Sequence, residues 1–288
     1  MRPASRILAI AAAFSLLGAP AAGSPVRDRI YPAPTAPLTL AGLPGGTFII
    51  DVRTADGLLL KGLATPAREN MPTILVFHGN GSSAADAVAW LRPLIGKGYG
   101  LVAAEYRGYS ANPGNPSETG LAADADAFFG YARAQAGAAP VWVVGHSLGG
   151  GVAFGLARRQ RLDALVTVGA FTRLRAMAPK LARAFVPNGY DNKAAVALLD
   201  EPYFLIHGSQ DATVPLAQGE ELHAAAGAAR RRGASFVVMG ADHKPSGEQI
   251  LAIITAAASA LAAGRYAADL LPAEIKLVPF GQQAPINP

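Results

Sequence analysis

The chain has 288 residues, 51% hydrophobic and 16% charged, with a formal net charge of +5 and no cysteine. That length suits one large α/β domain with a substantial core. The lack of cysteine excludes disulfides, thiolate metal sites and a cysteine nucleophile. The charge falls to +3 once Arg2 and Arg6 are set aside, and the two basic runs, Arg158-Arg159-Gln160-Arg161 and Arg230-Arg231-Arg232, fall where helices should end. Positive charge there meets the negative end of a helix dipole, so no nucleic-acid patch is expected.

Residues Met1 to Gly23 read as an export signal: two arginines, an uncharged apolar run from Ile7 to Leu17, then Ala19-Pro20-Ala21-Ala22-Gly23. The run is short for a membrane span, so no stable span is expected once the signal is cleaved, with an uncleaved anchor as the alternative. A lipoprotein anchor needs a cysteine that is absent, and the mature protein is expected in a periplasm or outside the cell. Residues 24–46 carry five prolines and predict an extended lead-in. Regular structure should begin with Thr47–Arg53 and Leu58–Leu63, an antiparallel pair joined at Thr54-Ala55-Asp56-Gly57.

Apolar runs then alternate with helical segments. Strands are predicted at Thr73–Phe77, Leu101–Tyr106, Val141–Val144, Ala164–Val168, Tyr203–His207 and Ser235–Met239. Helices are predicted near Ser83–Lys97, Ser117–Gln135, Ser147–Arg159, Ala217–Arg230 and Ser246–Gly264. Continuous apolar strands between amphipathic helices imply a mostly parallel, doubly wound sheet of about eight strands, covered on both faces. One domain is expected over residues 47–264, followed by a tail over 265–288 lying on the surface or disordered.

The chemistry centres on Gly145-His146-Ser147-Leu148-Gly149, between a strand and a helix. A G-x-S-x-G turn there is the nucleophile elbow pattern: the serine takes a strained angle, and glycine at 145 and 149 avoids collisions with neighbouring strands. A serine nucleophile needs a base, and the base an acid, in the chain order Ser, Asp or Glu, His. Ligands of doubly wound sheets sit at the carboxyl ends of strands. Asp211 follows the strand at 203–207 through a short loop; Asp191 and Glu201 are rivals without that placement, and Asp242 is a weaker alternative. Of five histidines only His243 lies both after the acid and in a loop following a strand. The oxyanion donors expected are the N–H of Leu148 and that of Asn80 in His78-Gly79-Asn80-Gly81, with Gly79 as the fallback. There is no H-E-x-x-H and no Gly-rich nucleotide fingerprint, so neither metal nor cofactor is expected.

Together with His78-Gly79-Asn80-Gly81 and Ala170-Phe171-Thr172, the stretch Glu105-Tyr106-Arg107-Gly108-Tyr109-Ser110, with Gly114-Asn115-Pro116-Ser117-Glu118 and Gly120, resembles the BEM-like branch of α/β-hydrolase-fold serine hydrolases. The resemblance spans roughly residues 47–264 and implies the α/β-hydrolase fold and a triad of Ser147, Asp211 and His243. Arg107 reads as structural. Only Phe171–Glu201 separate the sixth strand from the acid-bearing one, which predicts a small cap and an open site. Leu174, Met177, Leu181, Phe185 and Val186 there either line an acyl pocket or pack as core. The expected activity is cleavage of a carboxylic ester of small or medium acyl size, on a small-molecule substrate. The rivals are a thioesterase, amidase or peptidase of the same fold, or a non-catalytic envelope binding protein.

Overall fold

The computed structural model describes residues 29–177, 183, 189–266, 269 and 271–281. The expected signal at 1–23 lies outside them, as do Leu181, Phe185 and Val186 of the cap. The apolar runs form a nine-stranded sheet: β1 Phe48–Arg53, β2 Leu59–Thr65, β3 Thr73–Phe77, β4 Gly100–Ala104, β5 Val141–His146, β6 Ala164–Val168, β7 Tyr203–Gly208, β8 Gly233–Val238 and β9 Ile275–Pro279. Their order is β1-β2-β4-β3-β5-β6-β7-β8-β9. Strands β3 to β8 pair in parallel, while β1, β2 and β9 join antiparallel. The β1–β2 turn falls at Asp56-Gly57, where Gly57 takes φ 91.

The helices are α1 Ala84–Trp90, α2 Arg92–Gly96, α3 Glu118–Ala136, α4 Leu148–Ala157, α5 Asn192–Val196, α6 Leu216–Ala228 and α7 Gly247–Ala263. Leu121 and Phe128 of α3, Val152 of α4 and Leu222 of α6 build the core on one sheet face. Val88 of α1, Leu94 of α2 and Ile250 and Ile254 of α7 build it on the other. Because both faces are covered, β3 to β7 bury every residue and read as unbroken apolar runs. Ser117 caps α3 by accepting Gly120 N–H, and Ser246 with Gln249 forms a capping box on α7.

Two expectations change. The expected tail contains β9, whose Ile275 and Val278 are buried against β8, so the sheet has nine strands rather than about eight. Pro272 precedes that short strand and Pro279 ends it; proline is tolerated there because β9 is an edge strand. The single helix expected at 83–97 is two, because the chain turns at Leu91 and restarts with Pro93 in the first turn of α2. The lead-in packs on the domain: Tyr31 is buried in the core cluster, and Ser110 N–H donates to the Pro34 carbonyl. In the cap region the described residues form a short 3-10 turn, Leu174–Met177, and α5, and both Leu174 and Met177 pack partly buried on the core.

Candidate active site

Ser147 stands between β5 and α4 at φ 52, ψ −116, a left-handed conformation costing on the order of 1–3 kcal/mol for a residue with a side chain. Its flanking glycines are required by contact. A Cβ on Gly149 would lie 2.0 Å from the Phe77 carbonyl oxygen of β3, and one on Gly145 would lie 2.4 Å from the Gly149 oxygen. The collision expected with a neighbouring strand therefore occurs at Gly149, whereas Gly145 makes room for the backbone of α4. Leu148 begins α4, where backbone N–H groups have no partner within the helix.

Asp211 lies just after β7 and His243 after β8, both at carboxyl strand ends on the side of the elbow. Asp211 Oδ2 and His243 Nδ1 are 2.8 Å apart, and the carboxylate is fully buried while the imidazole remains partly accessible. Oδ1 accepts the N–H groups of Thr213 and Val214 at 2.9 and 2.7 Å. Burial opposes the charge on Asp211, but the His207 and His243 imidazoles and the Val214 N–H outweigh it and hold its carboxyl well below the ordinary carboxylate range. The rival acids lie elsewhere. Asp191 caps α5 and pairs with Arg173, Glu201 precedes β7 at the opposite strand end, and Asp242 accepts the N–H of Lys244.

Two histidines that the elimination set aside adjoin this pair, and a third lies in the loop after β3. His207 Nε2 sits 3.4 Å from Asp211 Oδ2 and 2.8 Å from the Val214 carbonyl. His146 Nε2 donates to the His243 carbonyl at 3.1 Å, and the two rings lie 4.7 Å apart. Burial, then the neighbouring His243, hold His146 at about 3, so the ring is a neutral donor. His78 lies at the start of the loop carrying Asn80. Sequence spacing gave no signal for the His146 contact, which joins residues 97 apart in the chain, and the His207 contacts depend on the loop after β7 turning back on that strand. Gly169 belongs to the same missed set: at φ +57, a Cβ there would meet His243 Nδ1 at 2.8 Å. The loop bearing His243 is further held by Trp90, whose indole N–H donates to the Pro245 carbonyl at 2.8 Å and whose ring lies beneath the Lys244 ammonium.

The loop after β3 abuts the elbow: a Cβ on Gly79 would lie 2.7 Å from His146 Nδ1 and 3.4 Å from Ser147 Cβ. The Asn80 side chain is tied on both sides, donating to the Ile30 carbonyl at 2.6 Å and accepting the Tyr109 hydroxyl at 3.1 Å. The lead-in thus borders the site. Tyr31 and Tyr190 hydroxyls meet at 3.1 Å, and Tyr190, whose amide donates to Glu118, lies over Gly151 of α4. Arg107 has the structural setting expected of it, bonded to buried Asp124 and to Asp56 in the β1–β2 turn. Among the described residues no cluster of three or more His, Cys, Asp or Glu could hold a metal ion, and no helix is long and apolar enough to cross a membrane.

This strand order, elbow and acid–histidine pair define an α/β hydrolase, and the chain belongs to that family. The family model described as Serine aminopeptidase, S33, matches residues 68–190. An uncharacterized protein of Mycobacterium tuberculosis is 34% identical over 228 residues, 75% of this chain and 80% of that protein. Lysophosphatidylserine lipase ABHD12 of Xenopus tropicalis is 31% identical over 204 residues, 62% of this chain and 53% of the relative. The chain therefore spans about half the length of that lipase. Among solved structures, an esterase of Pyrococcus furiosus superposes with a TM-score of 0.60 at 19% identity, covering 81% of this chain and 94% of the esterase, which shows a common fold. The protein is a hydrolase.

Proposed function

We propose that the protein is an exported serine hydrolase that cleaves carboxylic esters of small or medium acyl size. The observation that carries this reading is the strained serine at φ 52 in an elbow beside a histidine bonded at 2.8 Å to a buried carboxylate. Asp211 accepts Nδ1–H of His243, which fixes the tautomer and leaves Nε2 bare to take the Ser147 proton. Ser147 Oγ attacks the ester carbonyl, and the Leu148 and Asn80 N–H groups hold the developing oxyanion. His243 then returns the proton to the departing alcohol, and water resolves the acyl-enzyme by the same steps reversed.

An ester is favoured over the peptide that the matching family description suggests. The support for an ester is the names of the lipase and esterase relatives. Export rests on the pattern of residues 1–23. A panel of p-nitrophenyl esters, matched thioesters and aminoacyl anilides tests the bond type. Turnover should be confined to the oxygen esters of short and medium acyl chains; faster anilide cleavage refutes the ester reading. Comparing the N-terminus of envelope-fraction protein with the encoded one tests signal removal near residue 23, and recovery in the cytoplasm with Met1 intact contradicts it.

A further inference from the structure

Two successive peptide groups of the loop after β3 are each gripped at the carbonyl by a buried side chain. The Tyr106 hydroxyl donates to the His78 carbonyl at 2.8 Å, and that carbonyl shares its peptide with the N–H of Gly79. His78 Nδ1 lies 2.9 Å from the Gly79 carbonyl, which shares its peptide with the N–H of Asn80. A carbonyl can only accept, so Nδ1 carries the hydrogen. The other ring nitrogen, Nε2, is 2.9 Å from Glu105 Oε1, and Glu105 Oε2 accepts the N–H of Ala84 at the start of α1 at 2.9 Å. His78, Glu105 and Tyr106 are 2%, 0% and 0% exposed, so water does not compete for these bonds.

A peptide group is planar, so fixing the direction of its carbonyl fixes the direction of the N–H on its other side. A hydrogen bond accepted by the carbonyl also polarises the amide and strengthens that N–H as a donor. Both N–H groups nominated for the oxyanion, that of Asn80 and the fallback Gly79, receive this treatment. Filling space alone accounts poorly for the arrangement, because burying a carboxylate and an imidazole is costly where an apolar pair of similar volume would pack without penalty.

We infer that Tyr106, His78 and Glu105 are positioning residues that aim the second oxyanion donor at the substrate carbonyl, an inference that rests on the serine-hydrolase reading above. Glu105 anchors the His78 ring to α1, the ring orients the Gly79–Asn80 peptide, and Tyr106 orients the peptide before it. The oxyanion loop of this chain is therefore set from beneath by the residues that follow β4, in addition to the bond of its own turn, in which the Ser82 N–H donates to the Gly79 carbonyl at 3.3 Å.

The test uses the full chain with Tyr106→Phe and Glu105→Gln. Tyr203→Phe is the control, because it loses a buried hydroxyl contact of 2.9 Å with Thr167 at the far end of β7. Three quantities are read: kcat and KM on a p-nitrophenyl ester, and the inhibition constant of a trifluoromethyl ketone, whose adduct with the serine presents an oxyanion. In Tyr106→Phe, kcat should fall about ten- to hundredfold with KM within about twofold, and the ketone should weaken by a similar factor, a part of what losing one oxyanion donor costs. Glu105→Gln, whose amide can donate to His78 Nε2 and accept the Ala84 N–H, is the conservative variant and should stay near wild type. Tyr203→Phe should leave all three quantities unchanged. If Glu105→Gln does not fold, Tyr106→Phe, which removes a single oxygen, decides alone. Wild-type protein that labels with a fluorophosphonate, beside a Tyr106→Phe variant of wild-type kcat and ketone affinity, overturns the inference alone. Wild-type protein that takes no label overturns the serine-hydrolase reading and the inference with it.

Discussion

Replacing His146 by Gln removes a titrating ring while keeping a side-chain donor that can reach the His243 carbonyl. The folded protein holds His146 at about 3, against 6.5 for an ordinary histidine. Between those values the unfolded chain binds a proton that the folded chain refuses. The stabilisation is therefore complete above the unfolded value and is lost as pH falls below 6.5. Linkage makes the loss about 1.4 kcal/mol per pH unit once the unfolded ring is fully protonated, and about 2 kcal/mol between pH 7 and pH 5. Burial of the ring, at 8% exposure, is the main cause of the shift. The assay is urea unfolding of wild type and His146→Gln at pH 7, 6 and 5. The wild type should lose about 2 kcal/mol more than the variant across that range. Parallel pH dependences in the two proteins refute a buried neutral His146.

Other perturbations give sharp expectations. Asp211→Asn should lower kcat on an ester by about a thousandfold or more, because the His243 tautomer is no longer fixed and the imidazolium loses its counter-charge; steady-state kinetics on folded variant measures it. Gly149→Ala forces a Cβ to within 2.0 Å of the Phe77 carbonyl, so it should destabilise the protein by more than about 3 kcal/mol or abolish soluble expression; a melting temperature within a few degrees of wild type contradicts the close approach. Tyr31→Phe removes the contact between the lead-in and Tyr190 and should cost about 1 kcal/mol in urea unfolding; no loss means that this part of the lead-in is not anchored as described.

What the sequence disclosed follows from how far each signal reaches along the chain. Strands β3 and β6 were legible to the residue, because a strand buried on both faces must be apolar throughout. Ser117 and Ser246 marked helix starts because capping is a contact within three residues. The elbow was legible because its motif lies within five residues, although the close approach that demands Gly149 comes from Phe77 of β3. β9 was not, since five residues bounded by prolines resemble any surface tail until β8 offers an edge. The parts played by His78, His146 and His207 were hidden by the elimination itself, which asked only which histidine could follow the acid. Their partners Glu105, His243 and Asp211 are, for the first two, 27 and 97 residues away. His207 is only four residues from Asp211, but its contact depends on a loop that turns back on its own strand. The lead-in shows the same limit: its prolines announce an extended chain, and only folding shows that Ile30 and Tyr31 reach Asn80 and Tyr190.

The most direct measurement is labelling of the purified protein with a fluorescent fluorophosphonate, with the modified residue located by mass spectrometry and Ser147→Ala run alongside. The expected result is one adduct, on Ser147, absent in the folded variant. A folded wild-type protein that takes no label, or a variant that labels as well as wild type, contradicts an activated serine at the elbow.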